Sequence, residues 1–182
     1  IYPDFYYGIG ANTPLTNKVL FSSNRFVFQG NVFKKIGDQL FAGLNLKYID
    51  YSKLRNQDSL QYSELATNGA IGFGFSVLKD TRNNILTPLD GWFLKASSGY
   101  NFSKTNYFEA SLDGRYYKTW KSRFTFAGRF LNKMTAGTPA FFDYSSIGGD
   151  NIVRGYRYGR YRDKNLTTLQ SEFRAHLFWR IG

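Results

Sequence analysis

"NYFEASLDGRYYK", residues 106–118, alternates with a strict period of two. One parity carries Glu109, Ser111, Asp113, Arg115 and Tyr117, and the other Phe108, Ala110, Leu112, Gly114 and Tyr116. Successive side chains of a β-strand point to opposite faces, so the stretch reads as a strand with one charged face and one apolar face. A charged face of this length would be wasted in a dry core, but it suits a wall with water on one side and an apolar solvent on the other.

The same period extends in both directions. In 122-SRFTFAGRFLNK-133, Arg123, Thr125, Ala127 and Arg129 alternate with Phe124, Phe126, Gly128 and Phe130. In 166-LTTLQSEFRAHLF-178, Thr168, Gln170, Glu172, Arg174 and His176 alternate with Leu169, Ser171, Phe173, Ala175 and Leu177. Upstream, 25-RFVFQGNVF-33, 39-QLFAGLNLKYIDY-51, 70-AIGFGFSVL-78 and 91-GWFLKASSGYNF-102 follow the same rule. The pattern predicts about seven or eight strands, most of about 9–13 residues, whereas globular strands usually run about 5–6 and a tilted membrane-crossing strand needs about 9–11. Short turns are expected at KKIGD, NFSKTN and TWKS, a longer one at 79–91, and long loops at 52–67 and 135–165.

Composition agrees but leaves alternatives open. Aromatic residues make up 19% of the chain, with 18 Phe, 14 Tyr and 18 Gly, while the mean hydropathy is −0.40. An aromatic-rich soluble β-sandwich fits those values as well as a membrane barrel does. Strand length and the polarity of the second face favour the barrel. With no cysteine, disulfides and thiolate metal sites are excluded, and one histidine, His176, cannot make a multi-histidine site. No run of about 18 apolar residues predicts a spanning helix. The net charge of +11 raises nucleic-acid binding. However, the cations are spread along the chain, and their one dense cluster, RGYRYGRYR, lies between two strands. No phosphate-binding glycine motif or catalytic carboxylate pair stands out, so neither enzymatic activity nor a cofactor is expected. His176 alternates with Arg174 and Glu172, which makes it a polar residue of the wet face rather than a base.

Three motifs in order carry a resemblance. The first is 147-IGGDNIVRGYRYGRYRDKN-165, with the tetrapeptide Val153-Arg154-Gly155-Tyr156. The second, 79-KDTRNNILTPLDGWFLKASSGY-100, enters a strand through a D-x-R…P-x-x-G turn. The third, 169-LQSEFRAHLF-178, carries Glu172 in the strand after the loop. Together they resemble the outer-membrane assembly and translocation β-barrels, the BamA/TamA-like superfamily with its two-partner secretion translocators and bacterial surface antigens, in phrasing of the Bacteroidetes type.

The resemblance implies an all-β, antiparallel transmembrane barrel in the bacterial outer membrane. About eight of an expected 16 strands would be present, so residues 1–182 are expected to be a fragment forming a single partial barrel domain. The chain stops at 179-WRIG-182, where another strand would be expected to begin. Residues 135–165 would be the long extracellular loop, folded back into the lumen. Arg154 would be its tip cation and Glu172 the wall carboxylate that meets it. Glu109, Asp113, Arg115 and Arg174 are further lumenal candidates, and Gly155 would allow the reversal at the tip. The implied function is insertion or translocation of proteins. The implied partners are outer-membrane lipid, unfolded outer-membrane protein clients and periplasmic proteins, with no nucleic acid. A barrel that anchors a fused hydrolase and a passive pore or surface antigen are the alternatives.

Overall fold

The structure is a computed structural model that describes residues 4–56, 68–139, 141–148, 152–153 and 155–175. The chain forms β1 (Asp4–Tyr6), β2 (Val19–Gly37), β3 (Leu40–Asn56), β4 (Asn68–Asp80), β5 (Gly91–Ser103), β6 (Tyr107–Trp120), β7 (Phe124–Gly137), β8 (Ser145–Ser146), β9 (Arg162–Asp163) and β10 (Leu166–Ala175). Short 3₁₀ turns cover Leu15–Asn17 and Phe141–Asp143. Eight strands make one sheet in the order β1-β2-β3-β4-β5-β6-β7-β10, and β8 pairs with β9 separately. Each neighbour in the main sheet runs antiparallel, for example Asp113 opposite Leu131 and Lys95 opposite Asp113. The sheet is a partial β-barrel with β1 and β10 at its edges; among the described residues it does not close.

Register carries one parity into one face across all the long strands. Leu46, Phe73, Tyr100 and Phe108 lie side by side on β3 to β6, and Val32, Leu44 and Phe75 form the adjacent row. Large apolar side chains on this face stay exposed, with Leu44 at 69% and Leu169 at 82%. So much contiguous apolar exposure marks a surface that meets another apolar phase. Two aromatic groups bound the band. Tyr48 and Phe102 stand near one end, and Trp92, Tyr116 and Trp120 near the other. Ten residue-to-residue steps along β5 lead from Trp92 to Phe102. At about 3.3 Å per residue and a tilt near 40°, they span roughly 25 Å, the height of an outer-membrane apolar band.

Hydrophobic burial lies on the opposite, inner face. Tyr6, Val19, Phe21, Ile49 and Tyr51 form a cluster with Phe141 and Phe142 of the β7–β10 connection. That connection therefore folds over the inner face.

Several expected boundaries shift. Lys34–Gly37 are strand rather than turn, and the chain reverses at Asp38–Gln39, with Gln39 at φ 53°. β2 and β3 reach 19 and 17 residues, longer than the expected 9–13. The two sides of the hairpin support each other in a ladder from Phe21–Asn56 to Gly37–Leu40, so pairing carries both strands past the bilayer thickness. Strand alternation also puts the short NFSKTN turn at the end of the long loops, not with the other short turns. The long connection is narrower than 135–165, since β7 runs to Gly137 and β10 starts at Leu166. Residues 57–67 of the expected 52–67 loop, Arg154 and His176 lie outside the described residues.

Candidate functional site

The site is the connection between β7 and β10 together with the inner wall beneath it. The connection is tied down in two places.

The first tie is Phe141-Phe142-Asp143. Phe142 stacks on Tyr51 with centroids 4.0 Å apart and planes at 8°. Phe141 meets Tyr6, Phe21 and Tyr51 edge to face at 5.9, 5.5 and 5.8 Å. Burying a Phe side chain stabilises by about 1.5–3 kcal/mol, and edge-to-face pairs add to that. Asp143 follows into the wall, where Lys47 Nζ stands 3.0 Å from its Oδ2 and 3.0 Å from Glu109 Oε2. The Tyr107 hydroxyl donates to the same Asp143 oxygen. Burial raises the Asp143 pKa above the ordinary carboxylate range, against the opposing pull of Lys47 and Arg25. A cavity of about 350 Å³ beneath this tie is lined by Lys47, Asn101, Glu109, Asp143 and Tyr158 among others.

The second tie is the arginine-tyrosine run. Backbone pairing of Ser145 with Asp163 and Ser146 with Arg162 closes a small hairpin, and Gly159 N–H donates to Ile147 O at 3.2 Å. Gly148 has φ +108°, and a Cβ there would lie 2.3 Å from Arg157 O, so only glycine fits. The hairpin's cations reach the segment that precedes β2. Arg157 covers the Phe5 ring at 4.0 Å. Arg160 donates to Thr13 Oγ1 at 2.8 Å and Thr13 O at 2.6 Å, and stacks near Tyr7 and Tyr161 at 4.8 and 4.2 Å. Arg162 is 4% exposed and lies 3.8 Å from Asp4, while Gly10 N–H donates to its carbonyl at 2.7 Å. The resemblance assigned a wall carboxylate to Arg154 alone and said nothing of the other arginines of the run. These three arginines are held chiefly by rings and by oxygens of the chain, because the inner wall here offers aromatic faces and spare acceptors.

Of the tetrapeptide, Val153, Gly155 and Tyr156 are among the described residues. Val153 has φ 53° and Gly155 φ 99°. A β-branched residue in the left-handed region is strained by about 1–3 kcal/mol and persists only where its surroundings impose it. Gly155, at φ 99°, has a left-handed backbone that glycine adopts without strain. Tyr156 and Tyr158 are about half exposed, so the wall covers them only in part. Ile152, next to the tetrapeptide, lines the same recess as Asp113, Arg115 and Arg129.

The wall candidates all face inward. Asp113 accepts from Arg115 (3.1 and 2.7 Å) and from Arg129 (3.1 and 2.9 Å). Glu172, opposite Ala127, pairs with Arg174 at 2.9 Å. Glu109 belongs to the Lys47 cluster rather than to the tip. The sequence does not single out Lys47, Tyr107, Phe141, Phe142, Asp143 or Arg129 as site residues. Parity alone places Lys47, Tyr107 and Arg129 on the wet face. Two consecutive phenylalanines inside an otherwise polar connection were the available sign of the first tie. Among the described residues, no group of acidic or histidine side chains could hold a metal.

The family model for the Omp85 superfamily domain matches residues 15–179. No curated protein matches the chain.

Proposed function

We propose that this chain, which belongs to the Omp85 superfamily, forms barrel wall of an outer-membrane protein that inserts or translocates other proteins at that membrane. The observation that carries the reading is the connection laid over the inner face and tied to β3 and β6 at one place and to the segment before β2 at the other. Such a cross-brace stiffens the wall, so that opening is confined to the barrel's seam, where a client strand can be templated by backbone pairing. The role is mechanical rather than catalytic. Contact of Arg154 with Glu172 belongs to the same proposal. It is supported by the inward parity of Glu172 and by Ile152, two residues before Arg154, lining a recess of the inner wall.

The test is reconstitution. The full-length protein in vesicles is expected to speed the folding of a urea-unfolded outer-membrane protein severalfold over empty vesicles, and Arg154→Ala and Glu172→Ala to reduce that gain. Equal folding rates with and without the protein would overturn the reading in favour of an anchor or a passive pore.

A further inference from the structure

The inner face between β5 and β7 carries more positive charge than its own carboxylate can absorb. Register makes the arrangement a three-by-three grid. Phe93, Lys95 and Ser97 of β5 lie opposite Arg115, Asp113 and Ser111 of β6. These lie opposite Arg129, Leu131 and Lys133 of β7. Asp113 is the centre, and Lys95, Arg115, Arg129 and Lys133 stand around it. Its two oxygens already accept four N–H bonds, two from each arginine. An ionised carboxylate has about four lone-pair sites, so Asp113 has no capacity left for the lysines. Among the described residues, neither Lys95 nor Lys133 makes an ion pair, and the Lys95 ammonium lies 5.7 Å over the Phe33 ring. The Ser97 and Ser111 hydroxyls stand between them, 2.7 Å apart. Ile152 of the connection is among the residues that line the recess, which holds about 420 Å³. Both lysines are half-buried. Four cations around one saturated carboxylate make a recess of net positive charge, with one hydroxyl proton of the serine pair free to donate and room for a second anion.

We propose that this recess binds an oxyanion, a phosphate or carboxylate group, through Lys95, Lys133 and the Ser97 and Ser111 hydroxyls. The proposal rests on the inner face being the barrel's wet lumen. The anion comes either from solution or from an acidic side chain of a polypeptide in the lumen, and both present the same chemistry to the site.

Amine-specific acetylation of the full-length protein in vesicles, read lysine by lysine by mass spectrometry, tests it. Inorganic phosphate is one arm and an oligoglutamate peptide the other. Lys104 and Lys121, in exposed turns, are internal controls. Expected is a severalfold slowing at Lys95 and Lys133 with no change at the controls, and loss of the slowing in Ser97→Ala/Ser111→Ala. Protection by phosphate assigns a free anion, and protection by the peptide alone assigns an acidic polypeptide. Unchanged rates at Lys95 and Lys133 in both arms would overturn the site. Heat-modifiable migration on gels is recorded on the same samples. A preparation that lacks it refutes the barrel instead, and the two failures are told apart.

Discussion

Asp143 stands 3.0 Å from Lys47 with its side chain 8% exposed. A carboxylate in that position is tolerable only while a cation and a hydroxyl attend it. Removing Lys47 leaves the charge with the Tyr107 hydroxyl and the field of Arg25. Lys47→Met is therefore expected to cost about 3 kcal/mol at neutral pH, the lower end for breaking a buried pair. The pH dependence follows from the raised Asp143 pKa. The folded state holds this proton more tightly than the unfolded chain does. Its contribution is thus full below the unfolded carboxylate pKa and is lost as pH rises through the folded one. Without Lys47 the pKa rises further, so the variant is expected to lie closest to wild type near pH 4 and furthest from it near pH 8. Protease cleavage of the connection across that range checks it. A deficit that is flat with pH would refute the assignment. None of this was legible residue by residue, because a carboxylate in a loop is ordinary until tertiary contact buries it.

At the scale of the element, the hairpin closed by β8 and β9 is held by arginine planes on aromatic rings and by the fork of Arg160 on Thr13. A lysine keeps the charge but loses both the planar stacking surface and the forked geometry. Arg160→Lys is expected to cost about 1–2 kcal/mol, read as faster amide exchange at Gly159–Arg162. An ion-pair clasp would instead tolerate the exchange and weaken steeply with salt. Here salt is expected to have little effect. The sequence showed a dense run of arginine and tyrosine between two strands. It did not show which rings would receive the cations, since Phe5, Tyr7 and Thr13 lie about 150 residues upstream. Strand ends were misplaced for a related reason. KKIG has turn-like composition, but a ladder running from Phe21–Asn56 to Gly37–Leu40 outweighs that local preference.

At the scale of the whole molecule, the two faces of the sheet meet different solvents, and substitution distinguishes them. Leu44 lies on the outer face, within the apolar band. Leu44→Arg is expected to destabilise the protein in vesicles by about 2–4 kcal/mol, as a cation facing lipid near the midplane does. Asn31→Arg, opposite Asn45 on the inner face and exposed there, is expected to cost far less. Urea unfolding in vesicles measures both, and equal costs would contradict the assignment of faces.

The sequence by itself determined the class of the fold, the face to which each strand residue belongs and the superfamily. Each of these follows from a two-residue period and from local motifs, which need no knowledge of distant neighbours. Only the tertiary structure decided what fastens the connection. Phe141 finds Tyr6, Phe21 and Tyr51, Asp143 finds Lys47, and Arg160 finds Thr13. These contacts join residues far apart in the chain. Their energies depend on burial and on paired geometry, which exist only once the sheet has brought its strands into register.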